Sequence, residues 1–376
     1  MARLAVPDLW VDPMPTGCCD DKVERRGFDG GVLEASASRL RLWCRYSCLV
    51  DTGGWFRYFA EVEAKETSPS YRRLANGVAD DRDLIARLEL LPAAKRQPNL
   101  LFASVRYLDG PTSDWESFRS FVDTHWGAVS GLMSVRSTQT NEVARCGTIL
   151  PALAELRGPI ALIEVGASAG LCLLPDHYGY SFNGQRVGDS ALCIEVDCTG
   201  PVSIPDALPE ISWRRGIDLN PLDLSNPDHL AWLRSCIWPE HTVRRERFDL
   251  AVAIAAENTP TIVGGDLIDR IADVLDDAPA DSTRVVFHSA VMSYLDAGRR
   301  RTFASMMHGR DDVVWISNES PGVVPDLVAP DPPPTASAFL LGRDGQALAF
   351  TDPHGSWIAW LPQPRSLRSS AVRESS

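Results

Sequence analysis

The run IALIEVGASAGL, residues 160–171, constrains this chain more than any other stretch. Its first six residues have the apolar density of a strand buried on both faces and end at Glu164-Val165. A sharp turn follows through Gly166-Ala167-Ser168-Ala169-Gly170, after which the pattern predicts a helix over about 168–178. A buried strand, a glycine turn and a helix form the opening unit of a parallel sheet with crossover helices.

The rest of the chain divides around that unit. Residues 1–30 carry no sustained period and are expected to be a disordered or extended tail. Residues 31–157 are expected to be an all-helical N-terminal domain. Leu84, Ile85, Leu88 and Leu91 share one helical face behind the caps Asp80 and Asp81. A second helix opens with the capping-box spacing Ser113 to Glu116 and continues through Phe118, Val122, Trp126, Val129 and Leu132. From 158 to 364 short apolar runs alternate with helical segments. Strands are expected at Ile160–Val165, Ile211–Leu219, Thr261–Gly265, Arg284–Ser289 and Val313–Asn318. Helices are expected at 226–256, broken near Pro239, and at 267–277 and 296–308. A hairpin across Asp344-Gly345 joins Ala338–Leu341 to Gln346–Thr351 and ends the sheet antiparallel. Residues 365–376 are expected to fray.

Charge and residue usage exclude several classes. A net charge of −13, from 37 basic and 50 acidic residues, argues against bulk attraction to nucleic acid. The lysines are Lys22, Lys65 and Lys95, so no later residue supplies a phosphate-cradling or Schiff-base amine. Nine scattered cysteines without a C-x-x-C pair suit reduced, buried thiols. With no leader-like start and no long apolar run, a soluble cytoplasmic chain is expected, and no membrane partner.

Acidic and amide side chains collect at the expected strand ends. The turn Gly166, Ala167, Ser168 and Gly170 lets a backbone approach a ligand, with helix N–H groups facing a carboxylate and Glu164 engaging an ammonium. Asp218 ends the second strand, followed by Leu219 and Asn220, where an acid can accept ribose hydroxyls. Some 48 residues separate Gly170 from Asp218, so an insertion of about 175–210 is expected, with Asp197 in LCIEVDC, a rival ribose ligand, in a hairpin within it. Asp266 could accept from an adenine amino group, and His288 could deprotonate an acceptor or simply be hydrogen-bonded structurally. Glu319 carries the same ambiguity. Gln139, Asn141 and Glu142 read equally as a helix cap or as a polar wall facing the crevice, with Glu142 as a second catalytic candidate and Gln139, Asn141 and Glu319 as acceptor contacts. No metal is required.

These segments together resemble a bacterial family of unknown function that is itself similar to class I methyltransferases. The resemblance spans roughly residues 34–361. It rests on SPSY (68–71), TQTNEVARC (138–146), EVGASAGL (164–171), GIDLNPLD (216–223), Trp238-Pro239, Gly265-Asp266, HSAV (288–291) and WISNE (315–319). The family's first motif continues with Asn where this chain has Cys172. The resemblance implies an α/β fold with a Rossmann-like sheet, S-adenosylmethionine as cofactor and a small-molecule acceptor it does not identify. A methyltransferase-like protein that binds without turnover is the main alternative. Gly166-Ala167-Ser168-Ala169-Gly170 also fits the elbow of a serine hydrolase using Ser168, with Asp326 and His354 formally available. A nicotinamide dehydrogenase would need glycine where Ser168 and Leu171 stand.

Overall fold

The structure is a computed structural model that describes residues 51–335 and 337–362. The expected tails at 1–30 and 365–376, and the start of the helical domain, lie outside the described residues.

The N-terminal part is helical because its caps and apolar faces agree. Helix α1 spans Thr52–Tyr58 and continues into a π-helical turn. Helix α2, Pro69–Asp80, starts with Ser68 accepting from the Tyr71 amide and with Pro69 at its first position, where a missing N–H is harmless. It buries Tyr71, Leu74, Ala75 and Val78 at steps of three and one. Asp81 caps α3, Arg82–Leu88, through the Leu84 amide, as the sequence predicts. Helix α4 spans Pro98–Tyr107. Helix α5, Trp115–Val135, is capped by Asp114 through the Ser117 amide, one residue later than the Ser113–Glu116 spacing suggests.

Helix α6, Arg145–Leu153, behaves differently, since all nine of its residues are buried. It packs in the core of the sheet, against later strands, so core membership cuts across the expected boundary at 157. Conversely, Trp232, on helix α7 (Pro227–Cys236), joins the N-terminal helical core, and the Trp238 ring lies 5.5 Å from that of Tyr71. Ser68 Oγ and the Ser70 amide donate to Glu240 at 2.5 and 2.9 Å, which gives SPSY and Trp238-Pro239 one shared role in joining the two parts.

The sheet has eleven strands among the described residues. The strands are β1 Ile160–Val165, β2 Gly179–Phe182, β3 Gln185–Val187, β4 Cys193–Thr199, β5 Ile211–Asp218 and β6 Ile262–Gly264. They continue with β7 Thr283–Ser289, β8 Val313–Glu319, β9 Phe339–Arg343, β10 Gln346–Thr351 and β11 Trp357–Trp360. Their order is β3-β2-β4-β11-β10-β9-β8-β7-β1-β5-β6. From β6 to β8 all neighbours are parallel, with β5 on one side of β1 and β7 on the other. The order in which successive strands are added therefore reverses at β1, and its carboxyl end opens the crevice in which such sheets take ligands. Helices α8 (Thr242–Glu257), α9 (Leu267–Asp276) and α10 (Ala297–His308) complete the crossovers.

Two expectations fail here for identifiable reasons. No helix follows the glycine turn: two 3-10 turns, Leu171–Leu173 and Pro175–His177, occupy the segment. Pro175 lacks the N–H a continuing helix needs, and Leu171 to Leu174 are buried on all sides, so their spacing carries no period. The insertion also forms more than a hairpin, because β4 pairs in parallel with both β2 and β11 and extends the main sheet. That puts Asp197 six strand spacings from β1, about 29 Å along the sheet. It is exposed there and cannot serve a crevice at β1. The terminal hairpin forms as read, with Asp344 and Gly345 both at positive φ (51° and 79°).

Candidate functional site

The glycine turn is anchored to β5 by its own backbone. The Gly166 and Ala167 amides both donate to Ile217 O, at 2.8 and 3.1 Å. This close approach needs Gly216, since a Cβ there would lie 2.6 Å from that of Ala167. The Ser168 amide donates to Asp218 Oδ2 at 2.7 Å, Ala169 to Asn141 Oδ1 at 3.2 Å, and Gly170 to Ala167 O at 2.7 Å. All five amides of the turn thus have internal partners. The expected anion seat on free helix N–H groups does not exist, because no helix begins there and the amides are spent on the fold.

Asp218 faces the turn, but both of its oxygens hold backbone: Oδ1 accepts from the Asn220 amide at 2.7 Å. Gln139 and Asn141 are brought over the turn. Asn141 Nδ2 donates to Ser168 Oγ at 2.6 Å, Ser168 Oγ donates to Gln139 Oε1, and Gln139 Nε2 reaches Asn220 O at 3.1 Å. Ser168 itself sits at φ 53°, the first inner position of a turn closed from Ala167 to Gly170. A non-glycine residue there stores about 1–3 kcal/mol of strain. An elbow serine would need such a backbone, but the Ser168 hydroxyl is held by two amides, and neither Asp326 nor His354 bonds to it.

Beneath the turn lies a cavity of ≈ 20 Å³, lined by Asn141, Arg145, Glu164, Ser168, Cys172 and Phe287 among others. That is room for about one water molecule. A larger cavity of ≈ 190 Å³ opens at the amino end of β1, between Leu150, Leu153, Pro205 and Leu208, away from these groups. Glu164 is the unusual member of the small cavity. It is 7% exposed, and its Oε2 has no hydrogen-bond partner. Burial pushes its carboxyl well above the usual range, helped by Cys172 and Asp218 and opposed by Arg145. Arg145 is also 7% exposed. Its Nε and Nη1 donate to Pro353 O at 2.8 Å and Ser289 O at 3.2 Å, and no ion pair involves it among the described residues.

The other candidates are engaged elsewhere. Strand alternation turns His288 to the face opposite Phe287 and Glu164, where it packs on Phe303 and Trp315. It is wholly buried. Trp315 Nε1 can only donate, so His288 Nε2 accepts that bond at 3.0 Å and Nδ1 carries the proton to Glu319 Oε1 at 2.7 Å. The same oxygen accepts the Val291 and Met292 amides. Neither ring nitrogen of His288 is left for a substrate, and Glu319 is equally interior. Glu142 is clamped by Arg244 at 2.7 Å and Arg247 at 3.3 Å. Asp266 caps α9 through Ile268 and pairs with Arg299. Leu219 is 55% exposed.

Sequence reading missed Arg145, whose signal is a lone charge at the head of the apolar run RCGTILPAL. An arginine in a helix buried on every side must be held by carbonyls or serve a ligand.

The fold defines a mixed α/β protein with a large, mostly parallel sheet flanked by helices. The chain matches the bacterial family described as "Uncharacterized protein conserved in bacteria (DUF2332)" over residues 54–360, and it belongs to that family. No curated protein matches it. Among the described residues, no helix is long and apolar enough to cross a membrane.

Proposed function

We propose that this protein binds S-adenosylmethionine at the carboxyl ends of β1 and β5 and is a methyltransferase acting on a small-molecule acceptor. The observation that carries the reading is Glu164: a buried carboxyl with one oxygen unpartnered, at the end of the strand where the strand order reverses. A ligand ammonium would supply the missing donor. Asp218 supports the same reading, because a carboxylate has about four acceptor sites and only two are occupied.

When bound, S-adenosylmethionine supplies an electrophilic methyl group on a sulfonium. The work of the chain is then to bind, align and exclude water, which can supply most of the rate gain in an in-line transfer. Glu164 orients the amino-acid end, Asp218 the ribose, and Gln139 and Asn141 must leave Ser168 to admit the nucleoside, since ≈ 20 Å³ holds far less. Released from the turn, those two amides border the crevice as acceptor contacts. A second reading, binding without turnover, is favoured by one observation: His288 and Glu142, the proton-transfer candidates, are both locked in interior pairs.

Calorimetry with S-adenosylmethionine and S-adenosylhomocysteine tests the binding. Micromolar affinity is expected, weakened about tenfold or more by Glu164→Gln and by Asp218→Asn. Absence of binding at millimolar ligand by a folded protein sinks the reading. Tight binding with no methylated product across an acceptor screen leaves the second.

A further inference from the structure

Beside the Glu164 cavity, two guanidinium groups pair with a single carboxylate and a third stands near them. Glu142 takes Arg244 on one oxygen and Arg247 on the other, and Arg145 has no ion pair among the described residues. The excess positive charge is local, in a chain whose net charge is −13. Among the described residues, neither of the other acids nearby forms an ion pair with these arginines. Asp352 is engaged by the His354 and Ser356 amides and the Ser356 hydroxyl, and Glu240 by Ser68 and Ser70. Burial favours the neutral form of the Glu164 carboxyl.

His354 is exposed, and desolvation by the protein around it together with Arg244 and Arg145 drives its imidazole down to about 3. His241, stacked on Trp238, is lowered by burial and by Arg244. Both are therefore neutral near pH 7 and add polarity without charge. Arg145 is held by two carbonyls through Nε and Nη1, which fixes the guanidinium plane and leaves Nη2 for a ligand. An arginine held this way presents a fixed, charged donor suited to a carboxylate or phosphate oxygen.

We infer that the cluster of Arg145, Arg244 and Arg247 is an anion site that takes a carboxylate or phosphate group. The inference is a step beyond the methyl-transfer reading and names the chemistry the crevice demands of what enters it. The anion belongs either to the acceptor or to the amino-acid end of the cofactor. Both sources present the same chemistry to Arg145.

The test is thermal unfolding of the full chain with inorganic phosphate at fixed ionic strength. Phosphate stabilises most proteins by exclusion, so the informative quantity is the difference between variants. The rise in Tm should fall markedly in Arg145→Gln and Arg247→Gln, and persist in Arg247→Lys and in the surface variant Arg310→Gln. An equal rise in all five proteins, wild type included, overturns the site. A second measurement separates the sources. If phosphate competes with S-adenosylhomocysteine, and the decarboxylated analogue binds about tenfold more weakly, the anion is the cofactor's own. If phosphate and S-adenosylhomocysteine bind together, it is the acceptor's. Phosphate binding without S-adenosylhomocysteine binding removes the methyltransferase reading and leaves the anion site standing. The reverse removes the anion site alone.

Discussion

Glu164 and Glu319 look alike in sequence, each an acid at the end of an apolar strand, and the structure gives them opposite environments. Glu319 is 1% exposed, and one of its oxygens accepts three donors, from His288, Val291 and Met292. Glu164 is about as buried, and its Oε2 accepts none. Buried polar groups are nearly always satisfied, so a complete network reads as structural and an incomplete one as a place for something else. The two faces of the sheet thus differ: on the face holding His288 the acid's hydrogen bonds are complete, and on the face holding Glu164 one oxygen lacks a partner.

The largest effect should come from breaking the satisfied side. Glu319→Ala leaves a buried imidazole N–H and two amides without an acceptor, a loss of about 3–5 kcal/mol in chemical denaturation. Glu164→Gln should change stability by less than about 1 kcal/mol near pH 7, or raise it, because the neutral side chain avoids the burial penalty. Comparable losses in the two variants would erase the distinction between the faces.

How much of this contrast could be read beforehand follows from what each strand packs against. Strands β1, β5, β7 and β8 are legible because they are short apolar runs ended by Glu, Asp, Ser or Asn, and α7 and α8 are legible from the break at Pro239. Strands β2, β3, β4 and β11 are not, being three to seven residues long and stabilised by pairing between residues as distant as Asp197 and Trp357. Within the site, the turn and Asp218 stand together as their positions suggest. What the sequence could not reveal is whether their hydrogen-bonding capacity is free, because that depends on Gln139 and Asn141 arriving from a separate segment. His288 was drawn toward chemistry by its place at a strand end, and strand alternation with the Trp315 indole decided otherwise.

A medium effect should appear in the pH dependence of stability. The carboxyl of Glu164 is raised in the folded protein from an ordinary 4.5, so the folded state holds a proton that the unfolded state has lost. Its contribution is full below about 4.5 and declines as pH rises toward the folded value, by at most about 1.4 kcal/mol per pH unit. Denaturation midpoints measured from pH 4 upward, wild type against Glu164→Gln, should show the wild type losing stability relative to the variant. Parallel curves would mean that Glu164 ionises freely, as it would with an adequate partner.

The smallest effect tests whether Arg145 is an uncompensated cation. His354 is depressed to about 3 first by burial, then by Arg244 and Arg145, with Asp352 opposing. A depressed histidine lends stability that is present above pH 6.5 and lost as pH falls through the folded value. Arg145→Gln removes one repulsive charge and leaves the burial, so the His354 titration followed by NMR should move upward but stay below 6.5. The acid limb of the stability curve should shallow in step. Were Arg145 already neutralised in solution by an ionised Glu164, its removal would leave His354 almost where it was, and the asymmetry between the two faces would rest on Glu164 alone.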